Sequence, residues 1–356
     1  MELTQIVPRL PPPEEGVGGI ALALAAALAQ RGISCRFVVP SPHGAAARRA
    51  GLHVVEVARE PAALAAALDG AERTILHYAG YGYHPRGVPG WLAEGLARTD
   101  GALWTQFHEM WATGPPWRSS FWLAPLQRRI AGSIGDRSER ISTSLDLYAR
   151  LLRRRLSEPR REIEIRPVIS GIGEVAEPLP FERRTPRLVV FGGPGVRARA
   201  YGEHSTAIEA SVRAFGLAEI WDIGPEAVAP PSLGALPIRR LGVLPAPEVS
   251  AILAESAAAF LAYPLGFLGK SSVFAAYAAH GALPICAGRP VAAAEGGPTA
   301  PRAGMHFWNA SDPALPSSSD LASIAAAART WYEGHSLARQ AAAIADWADG
   351  SGATTR

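Results

Sequence analysis

The sequence alternates short apolar runs with Ala-rich runs of helical length, and it does so in both halves of the chain. The apolar runs have the length of buried strands, and the runs between them have the length and composition of helices. In the first half the predicted strands cover 3–7, 35–39, 54–57, 74–77 and 103–107. Alternation of this kind requires a mainly parallel sheet covered by helices on both faces. The pattern therefore predicts an α/β fold with doubly wound sheets.

A segment rich in Gly and Pro, residues 170–186, separates two copies of this pattern. The alternation restarts at 187–193 with an apolar strand and a glycine turn. A length of 356 residues is also enough for two domains. We predict one Rossmann-like domain over 1–172 and a second over 187–330, followed by a helical segment, 331–356, that packs back on the first domain.

Lys270 is the only lysine in a chain with 34 arginines, which suggests a position that arginine does not suit. It lies in the sequence Gly269-Lys270-Ser271-Ser272, after an apolar strand and before a helical run. A glycine loop that leads into a helix presents backbone N–H groups and the positive end of the helix dipole, which together bind phosphate. These four residues therefore form a predicted phosphate or diphosphate site. The alternative is a surface lysine at an ordinary turn.

Two histidines follow predicted strands in the first half. His108 and Glu109 end one strand and are the predicted catalytic residues, because a histidine there is suited to act as general base on a hydroxyl group. The alternative is a polar pair that caps the next helix. His77 ends the preceding strand and leads into a Gly/Tyr loop with Tyr81 and Tyr83. Aromatic rings in a glycine-rich loop suit a sugar or lipid-linked acceptor, although they are equally expected in the core.

Composition limits the other function classes. The net charge of +3 is too small to indicate nucleic-acid binding. Two distant cysteines give no disulfide framework, which favours a cytoplasmic protein, and no Cys/His spacing predicts a metal site. The longest apolar run has ten residues, too few to span a bilayer. An arginine-rich stretch, 150–161, is typical of a solvated helix end. The alternative is that it makes peripheral contact with an anionic membrane.

Several segments together resemble the bacterial group-1 (family 4-like) glycosyltransferases. The opening loop with Gly18 and Gly19 is similar to the family's first Gly-Gly loop, and Phe107-His108-Glu109 is similar to its His-Asp/Glu turn. The segments 242–249 and 278–285 are similar to the family's sequence on either side of the donor loop. The likeness covers nearly the whole chain. It implies the B-type fold, in which two Rossmann-like domains face a cleft.

The resemblance also implies roles for individual residues. It places the donor diphosphate against Gly192, Gly193 and an arginine after that turn, with Arg197 preferred over Arg199. It places Gly18 and Gly19 on the acceptor side, where glycine lets the backbone approach a ligand. The chain departs from the family at two positions, where Leu268 and Ala276 stand in place of a pair of glutamates that contact the donor.

From the residues and the resemblance together we predict a glycosyltransferase. It would move a sugar from a nucleoside-diphosphate donor to a hydroxyl of a glycan, lipid-linked or small-molecule acceptor, with no metal or cofactor. The resemblance implies retention of the anomeric configuration and a role in cell-envelope, exopolysaccharide or glycoconjugate synthesis. The missing glutamates favour the main alternative, a catalytically silent B-type protein that binds a glycan or nucleotide. An epimerase or a phosphorylase on the same fold remains a third reading.

Overall fold

The computed structural model describes residues 1–11, 16–42, 48, 50–114, 116–291, 297–312 and 317–350. Part of the predicted opening loop (12–15) and the end of the C-terminal segment (351–356) lie outside these residues. The chain divides into two compact units. The N-terminal unit contains 1–166 and 337–356, and the C-terminal unit contains 167–336.

The N-terminal unit is built on a seven-stranded parallel sheet with the order β3-β2-β1-β4-β5-β6-β7. The strands are β1 (Glu2–Ile6), β2 (Ser34–Pro40), β3 (Val54–Val57), β4 (Arg73–Tyr78), β5 (Ala102–Phe107), β6 (Arg140–Thr143) and β7 (Glu164–Ile165). Its helices are α1 (Gly16–Ala29), α2 (Pro61–Ala67), α3 (Gly80–Tyr83), α4 (Gly90–Leu96), α5 (Ser119–Arg137) and α6 (Asp146–Arg153). The strand order reverses between β1 and β4, and ligands bind at such points in open α/β sheets.

The C-terminal unit has a second seven-stranded sheet with the order β10-β11-β9-β8-β12-β13-β14, in which only the β10–β11 pair is antiparallel. The strands are β8 (Thr185–Phe191), β9 (Glu219–Ile223), β10 (Ser232–Leu233), β11 (Leu236–Gly242), β12 (Ser256–Ala262), β13 (Leu283–Ala287) and β14 (Trp308–Asn309). Its α-helices are α7 (Pro194–Glu203), α8 (Ser205–Ala214), α9 (Ala246–Glu255), α10 (Ser272–Ala279) and α11 (Ser318–Glu333). Here the strand order reverses between β8 and β12.

These two sheets confirm the predicted doubly wound α/β architecture. The strands at the centre of each sheet are almost entirely buried, as helices on both faces require. One difference concerns the opening loop. Gly16 to Gly19, expected as loop, form the first turn of α1 instead. Gly18 allows this because a side chain there would overlap the carbonyl oxygen of Arg9.

The last helix, α12 (Leu337–Ala348), belongs to the N-terminal unit. Its buried residues pack with Leu24 and Leu28 of α1. The ring of Trp347 meets that of Trp104 edge to face at 5.5 Å, and its indole N–H donates to Glu139 at 2.8 Å. The C-terminal segment is thereby held to the first sheet by apolar burial and by a directed hydrogen bond.

The division between the units falls earlier than the sequence suggested. It follows Arg166, whereas the predicted N-terminal domain extended to Ile172. The backbone N–H of Val168 donates to the carbonyl of Gly269, and that of Ser170 donates to the Tyr332 hydroxyl. These bonds assign the start of the Gly/Pro-rich segment to the C-terminal unit.

Residues 119–137 form the 19-residue helix α5, which the sequence analysis did not predict. Pro125 lies inside this helix. Proline usually ends a helix, which explains why the sequence pattern did not reveal this one. No helix among the described residues is long and apolar enough to cross a membrane.

Candidate functional site

In the N-terminal unit the point where the strand order reverses carries both predicted histidines. His77 is the penultimate residue of β4, and His108 immediately follows β5, its neighbour in the sheet. The parallel register pairs His77 with Gln106, so the two histidine rings come from the same edge of the sheet. They stack with centroids 5.3 Å apart. The structure therefore brings together two candidates that are 31 positions apart in sequence.

The two histidines form a hydrogen-bonded chain with Gln5 of β1. His77 Nδ1 lies 3.1 Å from His108 Nε2, and His77 Nε2 lies 2.8 Å from Gln5 Oε1. The Gln5 amide nitrogen faces Cys35 Sγ at 3.2 Å, which assigns its oxygen to the histidine side. His77 then donates from Nε2 and accepts at Nδ1. In this arrangement His108 donates from Nε2, and its basic lone pair is on Nδ1.

Burial keeps the middle member of this chain neutral. His77 is fully buried, and this burial together with the neighbouring His108 lowers the pKa of His77 well below its usual value. Neutrality is required for His77 to accept at Nδ1 while it donates from Nε2. His77 therefore acts as a fixed support for the His108 ring, and the predicted contact between His77 and an acceptor does not fit its burial.

The remaining acceptor-side residues differ in exposure. Tyr83 is fully buried, and its hydroxyl lies within hydrogen-bond distance of the carbonyls of Ile6 (3.1 Å) and His77 (3.0 Å), so it supports β1 and β4 rather than facing a ligand. Tyr81 is 43% exposed, and its hydroxyl accepts from the Gln127 amide at 3.2 Å. Glu109 is exposed beside the buried His108.

The two glycines of the first loop have separate roles. Gly18 is buried and is needed for the close approach of α1 to the Arg9 carbonyl. Gly19 is exposed, and the space beside its Cα is open. Of the pair, Gly19 is the one that leaves room for a ligand to approach the backbone.

In the C-terminal unit the reversal point lies between the ends of β8 and β12. Gly192 has a φ of +136°, which favours glycine, and Gly193 is the exposed N-cap of α7. A Cβ on Gly192 would lie 3.3 Å from Cγ2 of Val273, in the first turn of α10. The N-termini of α7 and α10 are therefore close together. Two helix N-termini at one point of a sheet give a positive region suited to an anion.

The segment around Lys270 is more ordered than a glycine loop. Leu265–Lys270 is a 3₁₀ helix that leads directly into α10. Ser271 is the N-cap of α10, because its hydroxyl accepts from the backbone N–H of Phe274 at 3.2 Å. The backbone N–H of Ser271 donates to Leu268 at 2.9 Å, and the carbonyl of Gly269 accepts from Val168 at 2.9 Å. Ser271 and Gly269 thus hold the segment in shape.

Lys270 and Ser272 are the accessible members of this segment. Lys270 is half-buried at the end of the 3₁₀ helix, and Ser272 is the exposed first residue of α10. Both lie at the positive end of the α10 dipole. Phosphate contact by these two residues is compatible with the structure, whereas the predicted contact through the Ser271 amide does not fit its bond to Leu268.

Arg197, preferred in the sequence for the donor phosphates, is fully buried. Its Nε lies 3.2 Å from an oxygen of Asp222, and its terminal nitrogens donate to the carbonyls of Pro225 (2.7 and 2.9 Å) and Glu226 (2.6 Å). Asp222 also accepts from the Tyr201 hydroxyl at 3.1 Å. Burial raises the pKa of the Asp222 carboxyl, and Arg197 lowers it. This network joins α7 to the end of β9, and it does not suit phosphate contact.

Arg199 occupies the opposite face of α7 and is exposed. One of its terminal nitrogens lies 4.0 Å from the position of a Cβ on Gly195, in the first turn of the helix. The guanidinium therefore turns back towards the N-terminus of α7. Its location makes Arg199 the better candidate of the two for a phosphate.

Two residues not singled out in the sequence are important for this geometry. Gln5 fixes His77, and the Tyr277 hydroxyl accepts from the Phe191 N–H at 3.2 Å and donates to the Phe260 carbonyl at 3.1 Å. Tyr277 thus joins the ends of β8 and β12. The two positions aligned with the family's glutamates, Leu268 and Ala276, are buried in the same apolar cluster. The described residues contain no cluster of three or more His, Cys, Asp or Glu side chains that could hold a metal ion.

No protein-family model matches the sequence, and no curated protein matches it in sequence. Its fold matches many solved structures. A putative UDP-N-acetylglucosamine 2-epimerase from Listeria monocytogenes has a TM-score of 0.59 at 13% identity, covering 98% of this chain and 97% of that one. WaaG, a glycosyltransferase involved in lipopolysaccharide biosynthesis, has a TM-score of 0.57 at 12% identity, covering 97% and 98%. An alpha-glucosyltransferase bound to UDP and a 13-mer DNA has a TM-score of 0.57 at 10% identity, covering 94% and 96%.

The chain has the glycosyltransferase B-type fold. Matches over nearly the full length of both chains confirm the resemblance at the level of architecture. Sequence identities of 10 to 13% support a shared fold but do not establish a shared activity. Activity must therefore be argued from the residues at the two reversal points.

Proposed function

We propose that the protein is a glycosyltransferase that moves a sugar from a nucleoside-diphosphate donor to an acceptor hydroxyl. The C-terminal unit would hold the donor, and the N-terminal unit would hold the acceptor. The observation that carries the catalytic part is the buried chain Gln5–His77–His108, which fixes the ring and tautomer of a histidine at a ligand-binding edge. A histidine with a fixed ring and tautomer is suited to take a proton from a hydroxyl group.

On the donor side, the diphosphate would lie against the N-termini of α7 and α10. Lys270 and Arg199 would supply positive charge, and Gly193 and Ser272 would let the phosphates approach the helix ends. As the sugar–phosphate bond breaks, negative charge grows on the leaving diphosphate, and these fixed groups would stabilise it. Because two cations and two helix dipoles serve this purpose, we propose that transfer requires neither a metal ion nor a cofactor.

On the acceptor side, His108 Nδ1 would take the proton of the attacking hydroxyl. The exposed Glu109, Tyr81 and Gly19 would line the approach to it. We propose a glycan, lipid-linked or small-molecule acceptor in the cytoplasm rather than a nucleic acid, because the net charge is only +3. Envelope or exopolysaccharide synthesis is the setting we favour. The resemblance implies that the anomeric configuration is retained, and we propose that the hydroxyl, as it gives its proton to His108, attacks the sugar on the same face that the diphosphate leaves.

Turnover separates this proposal from its alternatives. We expect the purified protein, with EDTA present, to release a nucleoside diphosphate from one of a panel of UDP-, GDP-, ADP- and TDP-sugars when an acceptor hydroxyl is supplied. The Arg213→Ala variant is a suitable control, because that side chain is exposed on α8 and has no part in the proposed site. NMR of the product sugar gives its anomeric configuration.

Other outcomes of this assay would contradict the proposal. Conversion of a UDP-sugar to its epimer without an acceptor would assign an epimerase, the activity named for one structure of the same fold. Sugar release that depends on inorganic phosphate would assign a phosphorylase. Binding of a nucleotide-sugar without turnover on any acceptor class would assign a silent binding protein, as the loss of both glutamates suggested.

A further inference from the structure

The N-terminal half of α5 and the two residues before it expose an unusual amount of apolar surface. Trp117 is 83% exposed and Trp122 is 72% exposed, with Phe121 and Leu126 at 40% and 46% beside them. Together with the exposed Pro125, these residues form what we call the α5 face. Trp, Phe and Leu side chains are normally covered, and a continuous exposed group of them indicates a contact surface.

The α5 face is not needed for the core of the unit. The opposite side of the helix, with Ile130, Ala131 and Ile134, already packs into the main apolar cluster. Two of the exposed rings, Phe121 and Trp122, are nevertheless held in place. The Trp122 indole N–H donates to the Pro116 carbonyl at 3.0 Å, and the Phe121 ring meets the Trp122 ring edge to face at 5.4 Å. The surface is thus arranged in advance to meet a partner.

Arginines border this apolar surface. Arg118 precedes the helix, and a cavity of about 450 Å³ beside the α5 face is lined by Pro125, Arg128, Arg129, Ser133, Asp136 and Arg155. The one carboxylate there, Asp136, accepts from the backbone and hydroxyl of Ser157 at 2.8 and 2.9 Å. In the described part of the chain, none of the four arginines forms an ion pair with a carboxylate.

We propose that the α5 face docks on the surface of an anionic lipid bilayer. Tryptophan prefers the boundary between headgroups and acyl chains, since its ring is apolar and its indole N–H is polar. Arginine forms paired hydrogen bonds with phosphate, and the cavity collects three guanidinium groups where a lipid phosphate would lie. An apolar patch with a border of one charge sign is the pattern of peripheral attachment to anionic membranes.

Charge complementarity favours an anionic membrane over a second copy of this chain as the partner of the α5 face. The arginine-rich stretch 150–161 contributes Arg155 to the cavity, whereas Arg161 donates to the last carbonyls of α5 and the residues after it. Positive charge is therefore concentrated beside the apolar surface, while the whole chain carries only +3. A second copy of this chain would bring a like-charged border against it, which is unfavourable.

Helix α5 is also joined to the segments that follow the two strands next to the histidines. Gln127 of α5 accepts from the backbone N–H of Ala112 at 2.9 Å and donates to Tyr81 at 3.2 Å and to the Arg86 carbonyl at 2.8 Å. These bonds connect the helix to the loops that follow β4 and β5. If the proposed transferase activity holds, a lipid-linked acceptor is the class that this arrangement serves. Docking on lipid stands without that activity.

Vesicle flotation of the full-length protein tests the docking proposal. We expect the protein to float with vesicles prepared from phosphatidylcholine with about 30% phosphatidylglycerol. It should remain at the bottom of the gradient with vesicles of phosphatidylcholine alone. Replacing both Trp117 and Trp122 by Ser should reduce flotation to background. Replacing Arg118, Arg129 and Arg155 by Gln should weaken partitioning on the order of 100-fold, at about fivefold per arginine.

Two matched controls keep the test specific. Leu179→Ser removes an exposed apolar side chain from the C-terminal unit and is the control for the tryptophan variant. The control for the arginine variant replaces the exposed Arg31, Arg98 and Arg213 by Gln, which removes the same total charge elsewhere. Both should float like the wild type. Equal flotation of all variants, or no flotation of the wild type with either vesicle, would overturn the proposal. A concentration-dependent dimer lost in the tryptophan variant, without lipid binding, would assign the face to a second copy instead.

Discussion

Replacing His108 by Ala is expected to lower kcat by about 10²- to 10⁴-fold, the range typical for loss of a general base. The side chain lies at the reversal point of the first sheet, and His77 fixes it through a 3.1 Å contact. Because His108 must be neutral to accept a proton, the wild-type rate should fall on the acid side of its profile. His77 does not contribute to this fall, since burial and the neighbouring His108 hold its pKa well below the usual value.

Steady-state rates measured against pH for two further variants complete this test. Glu109→Gln should change kcat only a few-fold, because the residue is exposed and His108 can accept a proton without the Glu109 charge. Gln5→Leu should lower kcat less than His108→Ala and shift the acid limb, because His77 loses the partner that sets its tautomer. Circular dichroism checks that each variant is folded. A His108→Ala enzyme that keeps full kcat and the same acid limb would remove His108 from the mechanism.

Replacing Arg197 by Ala should destabilise the C-terminal unit by about 3–5 kcal/mol. This is the typical cost of removing one partner of a buried ion pair and leaving the other charge buried without compensation. Asp222 would remain buried without its cation, and the carbonyls of Pro225 and Glu226 would lose their donor. Arg199→Ala, two residues along the same helix, is the matched control because that side chain is exposed. We expect this change to leave stability within about 0.5 kcal/mol of the wild type.

The same pair of variants separates structure from ligand contact. Urea unfolding measures the stability of each, and nucleoside-diphosphate titration measures the affinity of each. Arg199→Ala should keep its stability and bind the diphosphate more weakly. If Arg197→Ala were as stable as the wild type and only its affinity fell, the ion pair with Asp222 would not have the structural role assigned to it.

The architecture could be predicted because it depends on local periodicity. The strands at 188–191 and 257–262 are continuous apolar runs, and many helices between strands are rich in Ala and Leu, so these elements are recognisable alone. The short outer strands β7, β10 and β14 have two residues each, which is too few for a periodic pattern. Pro125 concealed α5 for a different reason, because it breaks the helical pattern locally while tertiary packing keeps the helix.

The candidate site was only partly predictable, because contacts across the sheet are not encoded locally. His77 and Gln5 are 72 positions apart, and nothing short of the strand order places them side by side. The arginine assignment could have been made from the sequence. Arg197, Ala200 and Tyr201 follow the i, i+3, i+4 spacing of a buried helix face, whereas Arg199 is offset by about 200°. Helical phase alone separates the core arginine from the exposed one.

The central claim is that the C-terminal unit holds a nucleoside diphosphate at Lys270, and ligand-dependent melting tests it most directly. The measurement is the Tm of the wild type, Lys270→Ala and the control Arg213→Ala with UDP, GDP, ADP and TDP. At a hundredfold excess over its Kd, a ligand that binds only the folded state adds about 2.7 kcal/mol. For a unit of this size that corresponds to roughly 5–10 °C. We expect such a shift in Tm with one diphosphate in the wild type and in Arg213→Ala. In Lys270→Ala the shift should be lost. A shift of equal size in Lys270→Ala, or none with any diphosphate, would contradict it.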